Sequence, residues 1–162
     1  MTLQPDQQAP PYYFEDFTEG RVFSHHWGRT ITESDATTFA TQTHLYEPAL
    51  FNRAYATHLG EDRLPVSGLL VFSIVLGLSV ADLSESGGTF LGADDIRFTT
   101  TTHVGDTVYA ASTVEQRRTS ASRPGWGVVR WRTAAANQNH ELVLSYTRTS
   151  LVRFRAADAG RS

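Results

Sequence analysis

Pro65 to Glu85 reads PVSGLLVFSIVLGLSVADLSE, and the meaning of this stretch decides the fold. No charged residue occurs between Val66 and Ala81. At roughly 16 residues the run is shorter than the about 20 apolar residues a membrane span needs, and it is dotted with serine. A buried helix fits better. Pro65 suits a first helical turn, where its missing N–H is not needed; Asp82 and Glu85 return the chain to water, and Gly87 and Gly88 stop it. A helix that is apolar all round has to be enclosed on nearly every side. Because Phe90 to Phe154 reads as strands, the expected architecture is α+β, with a curved antiparallel sheet wrapped around one long central helix.

Size and charge set the outer bounds. With 162 residues the chain can bury one substantial core, so the sequence reads as a polar, proline-containing arm over 1–11, a single domain over 12–156 and a tail over 157–162. It contains no cysteine, which excludes disulfides and thiolate metal sites. A formal charge of -3 gives no electrostatic footprint for nucleic acid. MTLQPDQQAPP lacks the basic and apolar regions of a signal peptide, so a soluble, cytoplasmic protein is expected, with no membrane partner.

Outward from the helix, the local signals are readable in order. Tyr12, Tyr13, Phe14 and Phe17 form an aromatic cluster expected to lie over the domain surface. Arg21 to Ile31 has strand composition interrupted at Gly28. Thr32 is a helix N-cap with acids in the first turn of a helix reaching Thr43, and Phe51 to Leu59 reads as a second short helix after Pro48. Beyond the central helix, strands are expected at Thr89–Thr101, Val108–Arg117, Val128–Ala135 and Leu142–Phe154. Their connections are His103–Asp106, Ser120–Gly125 and Asn137–His140.

Several phrases carry a resemblance. Gly28-Arg29-Thr30-Ile31-Thr32-Glu33-Ser34-Asp35, and Phe98 through Val104-Gly105-Asp106-Thr107-Val108, are similar to the helix entry and the strand, GD turn and strand of the MaoC-like hydratases and dehydratases. Leu76-Gly77-Leu78-Ser79-Val80, Leu91-Gly92, Gly105-Asp106-Thr107 and Ser122-Arg123-Pro124 together resemble the branch that includes mesaconyl-CoA hydratase. The likeness covers Tyr13 to Arg155. It implies a hot-dog fold, a dimer, and action without a cofactor or metal on acyl groups carried as thioesters of coenzyme A or acyl carrier protein. Water is added or removed by an Asp or Asn and a His five residues later, acting as base and acid. The resemblance also implies an oxyanion site at the start of the buried helix, here Ser67 and Gly68.

The sequence departs from that pattern where the chemistry is done. Anchored on Pro48, the family's Asp-x-Asn-Pro-x-His run falls on Leu45-Tyr46-Glu47-Pro48-Ala49-Leu50, and both acid–base positions are leucine. Leucine neither gives nor takes a proton. A shift of one residue brings His44 to the first position but Ala49 to the second. Three readings stay open: an enzyme with relocated acid–base groups that runs a hydration, dehydration, isomerisation or conjugate addition, a non-catalytic partner of a second hot-dog subunit, or a homodimer that binds an acyl thioester without turning it over. For the first, the candidates are Glu47, His44, Tyr46 and Asn52, with His58 farther along and His25 and His26 on the first strand; Glu47 is preferred because Leu45 and Leu50 would desolvate its carboxylate. Leu45 and Leu50 would contact the acyl group, and Arg123, like Arg117 and Arg118, suits the phosphates of the carrier.

Plainer explanations stand beside these. His44 can complement a helix C-terminus, Glu47 can be a solvated turn residue, and Tyr46 and Tyr55 can be packing groups. His25-His26 lies on a strand, so the two rings point to opposite faces and do not form a metal site. Gly105-Asp106 reads as turn geometry, and Gly68, Ser73 and Gly77 as contacts that let sheet and helix approach.

Overall fold

The computed structural model describes residues 11–155, so the tail expected over 157–162 lies outside it, as does the arm over 1–11 apart from Pro11. In chain order it contains β1 (Val22–Thr30), α1 (Glu33–Thr43), a 3-10 turn at Pro48–Leu50, α2 (Arg53–His58), α3 (Gly68–Leu78), α4 (Val80–Leu83), β2 (Thr89–Phe98), β3 (Thr107–Thr119), β4 (Trp126–Ala136) and β5 (Leu142–Arg153). The strands make one antiparallel sheet in the order β1-β3-β4-β5-β2. Consecutive hairpins build β3-β4-β5. The two strands that flank the helices in sequence then close the edges.

Alternation along β4 shows how the sheet acquires an inner face. Gly127, Val129, Trp131, Thr133 and Ala135 are buried, while Val128, Arg130 and Arg132 point the other way. Against this face lie two apolar clusters. One gathers Leu70, Val71 and Val75 of α3 with Ile31, Val108, Leu144 and Tyr146. Each such aliphatic side chain is worth about 1.5–3 kcal/mol when fully buried. The other gathers Phe17, Phe23, Leu83, Val114, Trp131 and Val152. Phe17 is therefore core, not surface cover: its ring meets Trp131 edge-on at 5.1 Å.

The central helix differs from its expected form in three ways. It starts at Gly68, not Pro65, because Pro65 is held extended in a bridge to His103. It does not run unbroken to Glu85, since α3 ends at Leu78 and α4 restarts at Val80. At the break, the buried Ser79 hydroxyl donates to the Leu76 carbonyl and accepts from Arg148, which holds the backbone out of line. Finally, α3 is enclosed on the sheet side only, with Leu69 54% exposed. Ser73 and Gly77 lie on that open side, so they are not close-packing contacts.

Between the two clusters runs a buried polar seam. His25 bonds Asp82 at 2.6 Å and Ser112 at 2.7 Å, and Ser112 bonds Thr133 at 2.8 Å. Farther along, the buried Arg148 donates to Ser79, Ser84 and Ser150 and lies over the Trp131 and Phe90 rings. No carboxylate lies within ion-pair distance of it among the described residues. Burial therefore pushes its pKa below the usual arginine value. An apolar group of similar length escapes that desolvation, so Arg148→Met is expected to leave stability unchanged or raise it by about 1 kcal/mol in urea unfolding.

Local signals elsewhere hold. Thr32 caps α1: its Oγ1 accepts from the Asp35 N–H at 3.1 Å, and the Asp35 carboxylate accepts from the Thr32 N–H at 2.9 Å. The Thr32 hydroxyl, donating to the Asp35 carboxylate at 2.7 Å, and the Thr32 N–H hold that carboxyl below its usual pKa, and the Arg29 guanidinium adds to the effect. The strand at Arg21–Ile31 is interrupted as expected, by a bulge between His25 and Arg29 where Trp27 and Gly28 have positive φ. No helix among the described residues is long and apolar enough to cross a membrane.

Candidate functional site

The end of β2 and the start of α3 meet so closely that any side chain larger than glycine at position 68 would have to displace the Phe98 ring. A Cβ on Gly68 would lie 2.9 Å from the Phe98 ring. Beside this contact a cavity of about 450 Å³ opens, bounded by three segments and Val143. The loop after α1 supplies Leu45, Glu47 and Leu50; the helix entry supplies Val66 to Leu69 and Val71; and the chain leaving β2 supplies Phe98 to Thr102.

Each wall has a local cause. His44 takes the left-handed conformation (φ 56°) that ends α1, and the Leu45 N–H then returns to the Ala40 carbonyl at 2.9 Å. Pro48 opens a 3-10 turn that carries Leu50 back toward the helix. On the far side, the Val66 N–H donates to the Thr102 carbonyl at 2.7 Å and the Val104 N–H to the Leu64 carbonyl at 2.9 Å. These bonds lash the helix entry to the threonine tract. The Ser67 side chain does not cap α3, and the first N–H groups of a helix have no intrahelical acceptor. The Gly68 and Leu69 amides are thus left for solvent or a ligand, at the end where the helix dipole favours negative charge.

Five of the expected site residues, Leu45, Glu47, Leu50, Ser67 and Gly68, line this one cavity. The other four do not. His44 and Tyr46 stack edge-on at 5.7 Å and are exposed, with Tyr46 turned to solvent. Asn52 caps α2, its Oδ1 accepting from the Tyr55 N–H at 3.0 Å. Arg123 lies in the β3–β4 turn with its guanidinium over Trp126 at 4.1 Å, while Arg117 is held by the Phe14 and Glu15 carbonyls. Glu47 is also more exposed than expected. Leu45 and Leu50 flank its carboxylate without covering it in the single chain, because all three belong to one surface loop.

The sequence reading missed two features. Thr99 to Thr102 form a hydroxyl-bearing wall, whose only signal was four consecutive threonines at a strand end. The second is the hub at Asp106, which is more than a turn residue. Its buried carboxylate accepts from Arg63 at 2.7 Å, from the His103 N–H at 2.8 Å and from Gln138 at 3.0 Å. Burial alone would raise its pKa, but the three donors outweigh burial and hold it below its usual 3.8. His103 bonds Glu61 at 2.7 Å from the same hub. Neither that pair nor His25 with Asp82 belongs to the cavity wall, so no His–carboxylate pair from elsewhere replaces the missing one there, among the described residues.

A sheet curved over a helix whose uncapped start opens on a cavity, preceded by a capped helix and a proline loop, defines a hot-dog protein of the MaoC-like class. The mesaconyl-CoA hydratase family model matches residues 5–162, and the chain belongs to that family. It is 34% identical over 159 residues to a mesaconyl-CoA hydratase of Haloarcula hispanica, covering 96% of this chain and 44% of that one. To a beta-methylmalyl-CoA dehydratase of Chloroflexus aurantiacus it is 37% identical over 153 residues, covering 93% and 42%. A MaoC domain protein of known structure from Chloroflexus aurantiacus superposes with a TM-score of 0.85 at 33% identity, over 98% of this chain and 45% of that chain. The chain thus spans less than half the length of these three proteins.

Proposed function

We propose that this chain is a hot-dog unit of an enzyme acting on an acyl thioester, of coenzyme A or acyl carrier protein, by proton transfer in hydration or dehydration. The names of the relatives, a mesaconyl-CoA hydratase and a beta-methylmalyl-CoA dehydratase, support that reaction class. The observation that carries the reading is the cavity itself, with the uncapped start of α3 on one side and hydrocarbon from Leu45 and Leu50 on the other.

In this reading the thioester carbonyl accepts the Gly68 and Leu69 N–H groups, which stabilise the negative charge that develops on its oxygen. Leu45 and Leu50 hold the acyl chain. Glu47, the one ionisable side chain in the cavity wall among the described residues, takes a proton from water as the oxygen adds to the β carbon, and returns it to the α carbon. Dehydration is the same path reversed. His44 and Tyr46 border the loop that presents Glu47, Asn52 fixes α2 behind it, and Arg123 remains a candidate for the phosphate end of the carrier.

A second hot-dog unit is part of the proposal. The β2 edge exposes Phe90, Leu91 and Ile96, and the open side of α3 exposes Leu69; a second copy would cover both. The half-length match and the two leucines favour one alternative, in which this chain supplies the acyl-binding half and a different hot-dog unit the acid–base pair. The test is turnover of a panel of enoyl-CoA and β-hydroxyacyl-CoA esters by the purified chain, with its oligomeric state measured alongside. Turnover by the chain alone supports the enzyme. Tight thioester binding without turnover supports the partner or binding reading. Neither binding nor turnover overturns all of them.

A further inference from the structure

We infer that the same cavity carries a second activity, the 1,3-shift of a double bond in an enoyl thioester, with Glu47 as a single proton shuttle. The inference rests on the reading of the cavity as an acyl-thioester site. Hydration by a paired acid and base needs one group to hold and polarise water while another delivers the proton. The cavity wall offers one carboxylate, hydroxyls that do not titrate near neutrality at Ser67 and Thr99 to Thr102, and hydrocarbon at the two positions where the pair would stand. Leu45 and Leu50 can neither hold a water nor deliver a proton, so water addition depends on Glu47 without a second acid–base group. The same single base can also move a proton between two carbons of one substrate, a step that needs no water.

The step balances without a co-reactant. From a 2-enoyl thioester bearing a γ hydrogen, the Glu47 carboxylate removes that hydrogen as a proton. The C–H electron pair becomes the β,γ double bond, and the former α,β pair moves to give a dienolate whose oxygen is held by the Gly68 and Leu69 amides. The protonated Glu47 then delivers its proton to the α carbon and the carbonyl reforms. One C–H bond is broken and one made, and the product is the 3-enoyl thioester. Exposure of Glu47 at the cavity mouth is compatible with this role, because the group has to swing from the γ carbon to the α carbon, past the β carbon between them.

The experiment incubates the purified chain with trans-2-hexenoyl-CoA and separately with trans-3-hexenoyl-CoA, in water enriched in oxygen-18. Interconversion of the two isomers is expected to run ahead of any oxygen-18-labelled 3-hydroxyhexanoyl-CoA, and Glu47→Gln, at an exposed position that tolerates it, is expected to slow it by about 100-fold or more. Formation of labelled 3-hydroxyhexanoyl-CoA with no isomer overturns this inference and leaves the hydratase reading standing. An isomer formed equally fast by Glu47→Gln overturns it too. No reaction with either ester, together with no binding, removes both the inference and the reading beneath it.

Discussion

Leu45→Asp and Leu50→His, introduced together, are expected to raise the rate of water addition to an enoyl-CoA by about 10²–10⁴-fold over the parent chain, the range that a positioned acid–base pair contributes. Both side chains already line the same cavity, on the loop that faces the uncapped start of α3. The backbone that would carry the new groups is fixed at both ends, by the left-handed turn at His44 and the 3-10 turn at Pro48. Neither position is fully buried, so a charged or polar replacement does not strand an unpaired group in the core. Each single variant is expected to gain far less, because base and acid act on the same substrate in one sequence of steps. The measurement is the initial rate of 3-hydroxyacyl-CoA formation for the parent, both single variants and the double. A double variant no faster than the parent would mean that the loop does not present these positions to the reacting carbons.

That experiment rests on how far the loop was legible in the sequence. Pro48 fixed the alignment of Leu45 and Leu50, and the cavity brings both together with Glu47, Ser67 and Gly68, because a proline turn and a helix cap are local features that side chains announce. The capping box at Thr32 and Asp35 was legible for the same reason. What escaped depends on partners distant in the chain. Ser79 looks like one more small residue in an apolar helix until Arg148, from β5, bonds its hydroxyl. Phe17 reads as surface until Trp131 packs on it. Pro65 fits a helix start by its chemistry, yet the bridge to His103 holds it extended. Glu47 was expected to be desolvated by its leucine neighbours; sequence adjacency did not reveal that all three share an open loop.

Asp106→Ala is expected to lower the free energy of unfolding by about 1–3 kcal/mol, the cost of leaving part-buried donors without their charged acceptor. The buried carboxylate ties the loop before α3, through Arg63, to the β2–β3 turn, through the His103 N–H, and to the β4–β5 turn, through Gln138. Arg63 is half exposed and can be rehydrated when the carboxylate goes, whereas the His103 amide would lose its acceptor in a part-buried turn. The folded-state pKa is depressed, so the stabilisation is fully present above the unfolded value near 3.8 and is lost as pH falls through the lower folded value. Urea unfolding of the parent should therefore weaken in acid below that point, and Asp106→Asn should flatten this part of the profile as well as lower stability at neutral pH. The consequence reaches the cavity. His103 directly follows the threonine wall and bridges Pro65, one residue before the Val66 N–H that bonds Thr102, so loosening this corner separates the helix entry from the Thr99–Thr102 tract. Thioester turnover should then fall by more than the loss of folded protein accounts for. Turnover that tracks the folded fraction alone would show that Asp106 maintains the fold without setting the geometry of the site.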